Sequence, residues 1–327
     1  MTPDQVRGWA RYLDTSPLYQ QLIEVIASDS DLLAVLNRID HTPRLNMLFA
    51  GVQYLMMAEG GGELARHFPN LSSEPPGVTL GPAFTEFVLA HEAALVEIGR
   101  TRYTQTNECR RCVMLLAGIW ETPAVGFHLV DVGTSAGLNL LLDRYHYTMG
   151  TVEWGPSSPV RLTTEMRGRA VEARDIEIWS RTGLDLNPID PSIPDDARWL
   201  EALVWPENQE RRERLRAALG LTSEVPTDLV EGNALETLPV VLAGMPPGEP
   251  VVVMNSFVLN QMSRADRAAM SDIISDHRAD RVVYRVSCEW LEAEDEGAAI
   301  EVDDGSGLRR VGVAHPHGVW LKLYASP

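Results

Sequence analysis

Apolar residues recur at intervals of three and four along the first third of the chain, the spacing that lines one face of a helix. LYQQLIEVIA (18–27) and FTEFVLAHEAALVEIG (84–99) follow it, and loop chemistry at GGG (60–62) and PNLSSEPPG (69–77) separates such runs. The pattern predicts a last helix over QTNECRRCVMLLAGIW (105–120), opened by Thr106 or Asn107 and stopped before Pro123. From Phe127 short apolar runs of strand type alternate with helical ones. FHLVDVG (127–133) is a predicted strand and SAGLNLLLDRYHY (135–147) a predicted helix. DIEIWSRTGLDLNP (175–188) reads as a strand ending in an acidic turn, and DDARWLEALVWPENQERRERLRAALG (195–220) as one or two helices. TDLVEGNALETL (227–238) gives a short strand and turn. EPVVVMNSFVLN (249–260) and RVVYRVSCEWLE (281–292) are buried strands, with the helix RADRAAMSDIISDHR (264–278) between them. A closing hairpin runs from AAIEV (298–302) to WLKLY (320–324) through DDGSG (303–307). Such alternation implies a mostly parallel sheet covered by helices on both faces.

Composition narrows the function classes. A chain of 327 residues is long enough for a large core or two domains. No run approaches the roughly 18–20 apolar residues of a membrane span. MTPDQVRGWARYLD (1–14) carries no basic segment followed by an apolar one, so the expected location is the cytoplasm. A formal net charge of −18 argues against a nucleic-acid surface. Lys322 is the only lysine, which excludes a GxxxxGK[ST] phosphate loop and argues against Schiff-base chemistry. Cys109, Cys112 and Cys288 are too few for a disulfide framework and read as small buried hydrophobes. CRRC (109–112) looks like half a zinc site without a second half, so no metal is expected. HEAAL (91–95) lacks the second histidine of a zinc protease, and HPHG (315–318) reads as a surface turn.

In an open parallel sheet, ligands sit beyond the carboxyl ends of the strands. DVGTSAGLN (131–139) is the first strand-to-helix turn of this pattern. Gly133 and Gly137 allow positive φ and close backbone approach, and the N–H groups opening the next helix suit an anion. Asp131 can accept hydrogen bonds from a ligand amine or hydroxyl. Taken alone, the run fits an ordinary tight turn equally well, and GTSAG does not match the GxGxxG of nicotinamide sites.

DVGTSAG resembles the first motif of class I S-adenosylmethionine-dependent methyltransferases, with Ser135 in place of the middle glycine. Later segments resemble the other motifs in order. GLDLNP (183–188) is similar to the second, which implies that Asp185, with Leu186 beside it, holds the ribose. VEGNALETL (230–238) is similar to the third, which implies Asn233 and the Ala234 amide at the adenine. VVVMNSFVLNQ (251–261) is similar to the fourth strand, which implies Asn255 and Ser256 near the reacting methyl. The ribose acid usually follows the glycine turn by about twenty residues. Glu153 lies nearer that spacing, but Asp185 ends a longer strand signal and precedes a helix, so 148–172 reads as an insertion. Taken whole, the chain resembles a bacterial family catalogued as domain of unknown function 2332. QTNE (105–108), DVGTSAGLNLLLDRY (131–145), GLDLNP and RWLEALVWPENQERRERL (198–215) carry that resemblance, which brings no substrate.

The expected fold is therefore α/β: a helical cap over 1–122, then a Rossmann-like class I methyltransferase domain over 123–327. Its sheet is expected to be mostly parallel and seven-stranded, with a carboxyl-terminal antiparallel hairpin. The resemblance implies S-adenosylmethionine as donor and S-adenosylhomocysteine as product. Asp131, Gly133, Thr134, Ser135, Gly137 and Asn139 would hold the methionine end, Gln105 and Asn107 would approach the donor, and Glu108 with Asn255 would face the chemistry. The acceptor is expected to be a small molecule, with oxygen or carbon favoured because MNSFVLN (254–260) lacks the [DN]PP[YF] pattern of amino methylation. No nucleic-acid or membrane partner is expected, and the oligomeric state stays open. Arg144 could bind an acidic substrate or offset a helix dipole, and Trp199 and Trp205 could line an aromatic pocket or pack the core. Two other readings stand: a non-catalytic adenosyl-ligand-binding or regulatory protein, and a nicotinamide-dependent oxidoreductase.

Overall fold

Helix starts in the amino-terminal region fall where capping residues stand. Thr2 and Gln5 form a capping box, Ser16 accepts from Tyr19 N ahead of Pro17, and the Asp29 carboxylate accepts from Asp31 N and Leu32 N. The computed structural model describes residues 1–13, 15–105, 108–291 and 296–325. In chain order its helices are α1 (Pro3–Arg7), α2 (Pro17–Ser28), α3 (Ser30–Arg38), α4 (Arg44–Glu59), α5 (Gly62–Ala65), α6 (Leu80–Ala90), α7 (Glu92–Thr101), α8 (Cys112–Trp120), α9 (Pro194–Ala202), α10 (Gln209–Thr222), α11 (Ala234–Gly244) and α12 (Arg264–His277). Its strands are β1 (Gly126–Val132), β2 (His146–Met149), β3 (Val152–Trp154), β4 (Arg161–Gly168), β5 (Glu177–Asp185), β6 (Asp228–Glu231), β7 (Val251–Ser256), β8 (Val283–Glu289), β9 (Ala298–Asp303), β10 (Leu308–Ala314) and β11 (Trp320–Leu323). Among the described residues no helix is long and apolar enough to cross a membrane.

The chain divides into two compact units. The first takes in Met1–Asn107 with Ser192–Glu213, the second Glu108–Pro191 with Arg214–Pro327. Inside the first, the buried Gln53 of α4 donates to Tyr19 Oη of α2 (2.7 Å) and to the carbonyls of Ala202 and Val204. Its Oε1 accepts from Asn70 Nδ2 (2.9 Å), so one amide ties four segments together with its polar atoms satisfied. Trp199 is fully buried and donates to Tyr103 O, which makes it a core residue of this unit. The single helix expected over 84–99 is broken at His91, whose Nδ1 donates to the Phe87 carbonyl at 2.8 Å.

In the second unit the sheet order is β3-β2-β4-β11-β10-β9-β8-β7-β1-β5-β6. The five strands at one end, β8-β7-β1-β5-β6, are parallel throughout. The chain moves outward from β1 to β5 and β6, then returns to the other side of β1 to lay down β7 and β8. That reversal is the doubly wound arrangement, and its switch point lies between β1 and β7. Val130, Val132, Val251 and Val253 turn one face toward Leu238 and Leu242 of α11 and Met270 and Ile274 of α12. On the other face lies α8, buried at all nine positions. A helix that is apolar on every side belongs in a core. Gly118 lets it approach β8, since a Cβ there would stand 2.5 Å from Val286 Cγ1.

The sheet has eleven strands, where seven are expected. Residues 148–172, read as an insertion, supply β3 and β4, which pair with β2 and extend the sheet. The DDGSG turn joins β9 to β10, and WLKLY forms a third strand, β11, which passes the pairing on to β4 in parallel. The helix expected over 135–147 is a 3-10 segment, Leu138–Arg144, followed by β2. Two tyrosine hydroxyls explain the change. Tyr145 donates to Leu138 O and Tyr147 to Leu142 O, satisfying carbonyls that helical amides would otherwise take. The helix expected over 105–120 begins as α8 only at Cys112, after a 3-10 turn at Cys109–Arg111 capped by Glu108.

Candidate functional site

Asp131 is the last-but-one residue of β1 and is wholly buried, and neither carboxylate oxygen has a hydrogen-bond partner. Burial pushes its carboxyl up to about 8; the nearby Thr134 and Asn139 side chains oppose this, while the Asp185 charge adds to it. The turn that follows is held tightly. Gly133 N and Thr134 N both donate to Leu184 O (2.7 and 3.2 Å), and Ser135 N donates to Asp185 Oδ2 (2.8 Å). The turn amides of residues 133–135 are thus engaged by the end of β5, where an open anion cradle is expected from the motif. Gly133 has φ +78, and a Cβ on it would lie 2.0 Å from Val258 Cγ2. Gly137 is left-handed as well.

Asp185 sits beside the glycine turn, as the motif order implies. Its Oδ1 accepts from Asn187 N (2.9 Å), and its backbone carbonyl accepts from Gly232 N (2.9 Å), drawing the ends of β1, β5 and β6 together. Glu153 lies instead on the edge strand β3, with seven strands between it and β1 in the sheet order. Leu186 is 65% exposed just beyond Asp185. Asn233 is exposed and caps α11, its Oδ1 accepting from Leu235 N (3.0 Å), while Ala234 packs into the core.

Across the switch point, Asn255 of β7 is wholly buried. Its Nδ2 donates to Ser287 Oγ (2.9 Å) and Glu289 Oε1 (2.7 Å), and its Oδ1 has no partner. Glu289, which ends β8 and is 2% exposed, also accepts from Val258 N (2.8 Å). Its Oε2 is unpartnered, and burial raises its carboxyl above the usual range against the pull of these donors. Sequence reasoning missed Glu289. The available signal was an acid closing an otherwise apolar strand next to the one that carries Asn255. Ser135 and Phe257, in the loops leaving β1 and β7, are the two described non-glycine residues with positive φ (54° and 58°). Strain of that kind concentrates at functional sites. The Arg111 guanidinium lies 3.9 Å from the Phe257 ring centre and helps to hold it.

Seven buried side-chain atoms here lack partners: both Asp131 oxygens, Thr134 Oγ1, Ser135 Oγ, Asn255 Oδ1, Ser256 Oγ and Glu289 Oε2. Each such atom costs about 1–3 kcal/mol unless something satisfies it. Their gathering at the strand ends of a doubly wound sheet marks the candidate site.

The remaining expected residues are engaged as follows. Glu108 is 4% exposed and ion-paired with Arg214 (3.2 Å), so its charge is matched within the fold. Gln105 belongs to the first unit, and Asn107 lies outside the described residues. Asn139 Oδ1 accepts from Cys112 Sγ at 3.4 Å. Arg144 sits 3.5 Å from Asp143. Among the described residues no cluster of His, Cys, Asp or Glu is arranged to hold a metal ion. A solvent-open cavity of about 880 Å³ lies in the first unit, bounded by Trp9, Tyr12, Arg44 and Trp205; its walls carry none of the unpartnered acceptors described above.

No curated protein matches this chain. The family model described as an uncharacterized protein conserved in bacteria (DUF2332) matches residues 4–323. With nearly its whole length covered, the chain belongs to that bacterial family.

Proposed function

We propose that this protein is an S-adenosylmethionine-dependent methyltransferase of class I fold acting on a small molecule, with an oxygen or carbon acceptor favoured. The observation that carries the reading is the set of unpartnered buried acceptors around Asp131 and Asn255, on either side of the switch point. An adenosyl amino acid fits them, because its ammonium and hydroxyl groups are the donors these oxygens lack.

Asp131 would accept from the ammonium, with Thr134, Ser135 and Asn139 beside it. Asp185 would receive the ribose hydroxyls through the lone pairs left by the Ser135 and Asn187 amides. Leu186 offers apolar surface next to them, and Asn233 with the Ala234 amide is assigned to the adenine edge. The donor, when bound, supplies an electrophilic methyl on a sulfonium. The chain's part is to align the acceptor atom in line with that methyl and to exclude water. Asn255 Oδ1, unpartnered within the fold, would orient an acceptor hydroxyl. Glu108, its charge matched by Arg214, suits orientation better than proton transfer.

A second reading, adenosyl-ligand binding without turnover, is favoured by the engagement of both Asp185 oxygens and of Asn233 Oδ1 with backbone amides of the protein itself. Calorimetry on the folded protein separates these readings from others. Binding of S-adenosylmethionine and S-adenosylhomocysteine supports both, and absence of binding of either ligand at millimolar concentration overturns both. Transfer of a labelled methyl group to any member of a panel of small hydroxyl and carbon acids then selects the first.

A further inference from the structure

We infer that Glu289 gives the site its preference for a cationic ligand over the neutral counterpart, so that the sulfonium donor is held more tightly than the thioether product. The inference rests on the methyltransferase reading and adds to it a residue outside the motifs.

Three observations carry it. First, the structural duties of Glu289 use only one of its oxygens. Oε1 receives Asn255 Nδ2 and Val258 N, and Oε2 makes no hydrogen bond, while the Leu259 and Asn260 amides also favour the ionised carboxylate. A glutamine would accept the same two bonds through its own Oε1, so neither of them requires the negative charge. Second, Glu289 forms no ion pair among the described residues, although its charge acts through space on Arg285. Two arginines of the same unit are engaged elsewhere: Arg285, four residues back on β8, donates to Ser271 Oγ, and Arg111 lies over Phe257 and donates to Pro316 O. A buried carboxylate without a counter-ion is expensive, and a cationic ligand relieves that expense. Third, Glu289 is one hydrogen bond behind Asn255, whose open Oδ1 belongs to the strand beside the switch point. A ligand group touching Asn255 Oδ1 would stand about 5–7 Å from the carboxylate, where a charge is strongly felt in a water-poor site. Burial raises the Glu289 carboxyl, in keeping with a group that a cation would help to ionise.

Loss of the methyl group turns a sulfonium into a thioether, and the attraction to Glu289 disappears with the charge. Product release would be favoured without any movement of the fold.

The test is calorimetry at pH 8 with S-adenosylmethionine and S-adenosylhomocysteine as probes, on the full chain and on E289Q and E289D. E289Q should lose roughly tenfold in affinity for S-adenosylmethionine and change less than about twofold for S-adenosylhomocysteine. E289D, which keeps the charge, should retain the wild-type ratio within about threefold, and its ratio tests the inference even if E289Q does not fold. An unchanged ratio in E289Q, an equal loss for both ligands, or loss of the ratio in E289D overturns the inference while leaving the methyltransferase reading intact. If the wild-type protein binds neither ligand, the underlying reading fails and the inference falls with it.

Discussion

Asp185 Oδ2 accepts the backbone amide of Ser135 at 2.8 Å, across fifty residues of sequence, and so fastens the end of β5 to the turn that leaves β1. Its other oxygen takes the amide of Asn187. One carboxylate therefore fixes two loops at the candidate site, and both bonds are of the stronger, charge-assisted kind.

Replacing Asp185 by alanine is expected to lower stability by about 1–3 kcal/mol and to weaken adenosyl-ligand binding as the turn loosens. Urea unfolding and calorimetry measure the two effects. An unchanged unfolding midpoint would mean that the Leu184 carbonyl alone holds the turn.

The close approach of Val258 to Gly133 should appear as a coupling between them. G133A meets both a left-handed backbone and Val258 Cγ2, and is expected to lose about 2–4 kcal/mol. V258A should recover part of that loss in the double variant. Strict additivity in the double-mutant cycle would contradict the packing described.

The buried Asp131 makes stability depend on pH. Its folded-state value, about 8, is above that of an unfolded aspartate, so between roughly pH 4 and pH 8 the folded chain holds a proton that the unfolded chain has released. That contribution is complete below the unfolded value and is lost as pH rises through the folded one. Wild-type stability should therefore fall relative to D131N from pH 5 to pH 8.5, by a few kcal/mol at most. Parallel stability curves for the two proteins would remove this account.

At the opposite end of β1, the His128 ring bridges Ser180 Oγ (2.7 Å) and Glu249 Oε2 (2.6 Å). It is buried, so H128A should cost about 1–3 kcal/mol of stability through lost bonds and packing. Donor affinity should stay within about twofold of wild type, because ligands gather at the carboxyl ends of the strands. A large loss of affinity in a folded H128A would place the binding site elsewhere.

Several features were legible in the one-dimensional pattern because they depend on neighbours along the chain. Alternating strand and helical runs announced a mixed α/β chain with a largely parallel sheet. The run DVGTSAGLN located the turn after β1, and GLDLNP supplied the acid that meets it. Local spacing also placed Asn255 at a strand end, since polar residues closing apolar runs stand out.

Other features could not be read there. Whether SAGLNLLLDRYHY becomes a helix depends on the Tyr145 and Tyr147 hydroxyls closing on carbonyls seven and five residues back, bonds that leave no hydrophobic period in the sequence. The four additional strands, β2, β3, β4 and β10, arise from pairings that no local period encodes. Glu108 and Glu289 look alike in sequence, each an acid beside a cysteine. Only packing gives the first an arginine and leaves the second with an open oxygen. Sequence by itself determined the class of fold and the turn that leaves β1, because periodicity and turn chemistry are local. Tertiary structure decided which carboxylates are satisfied and which are not, because a buried group's partners come from strands and loops far apart in the chain.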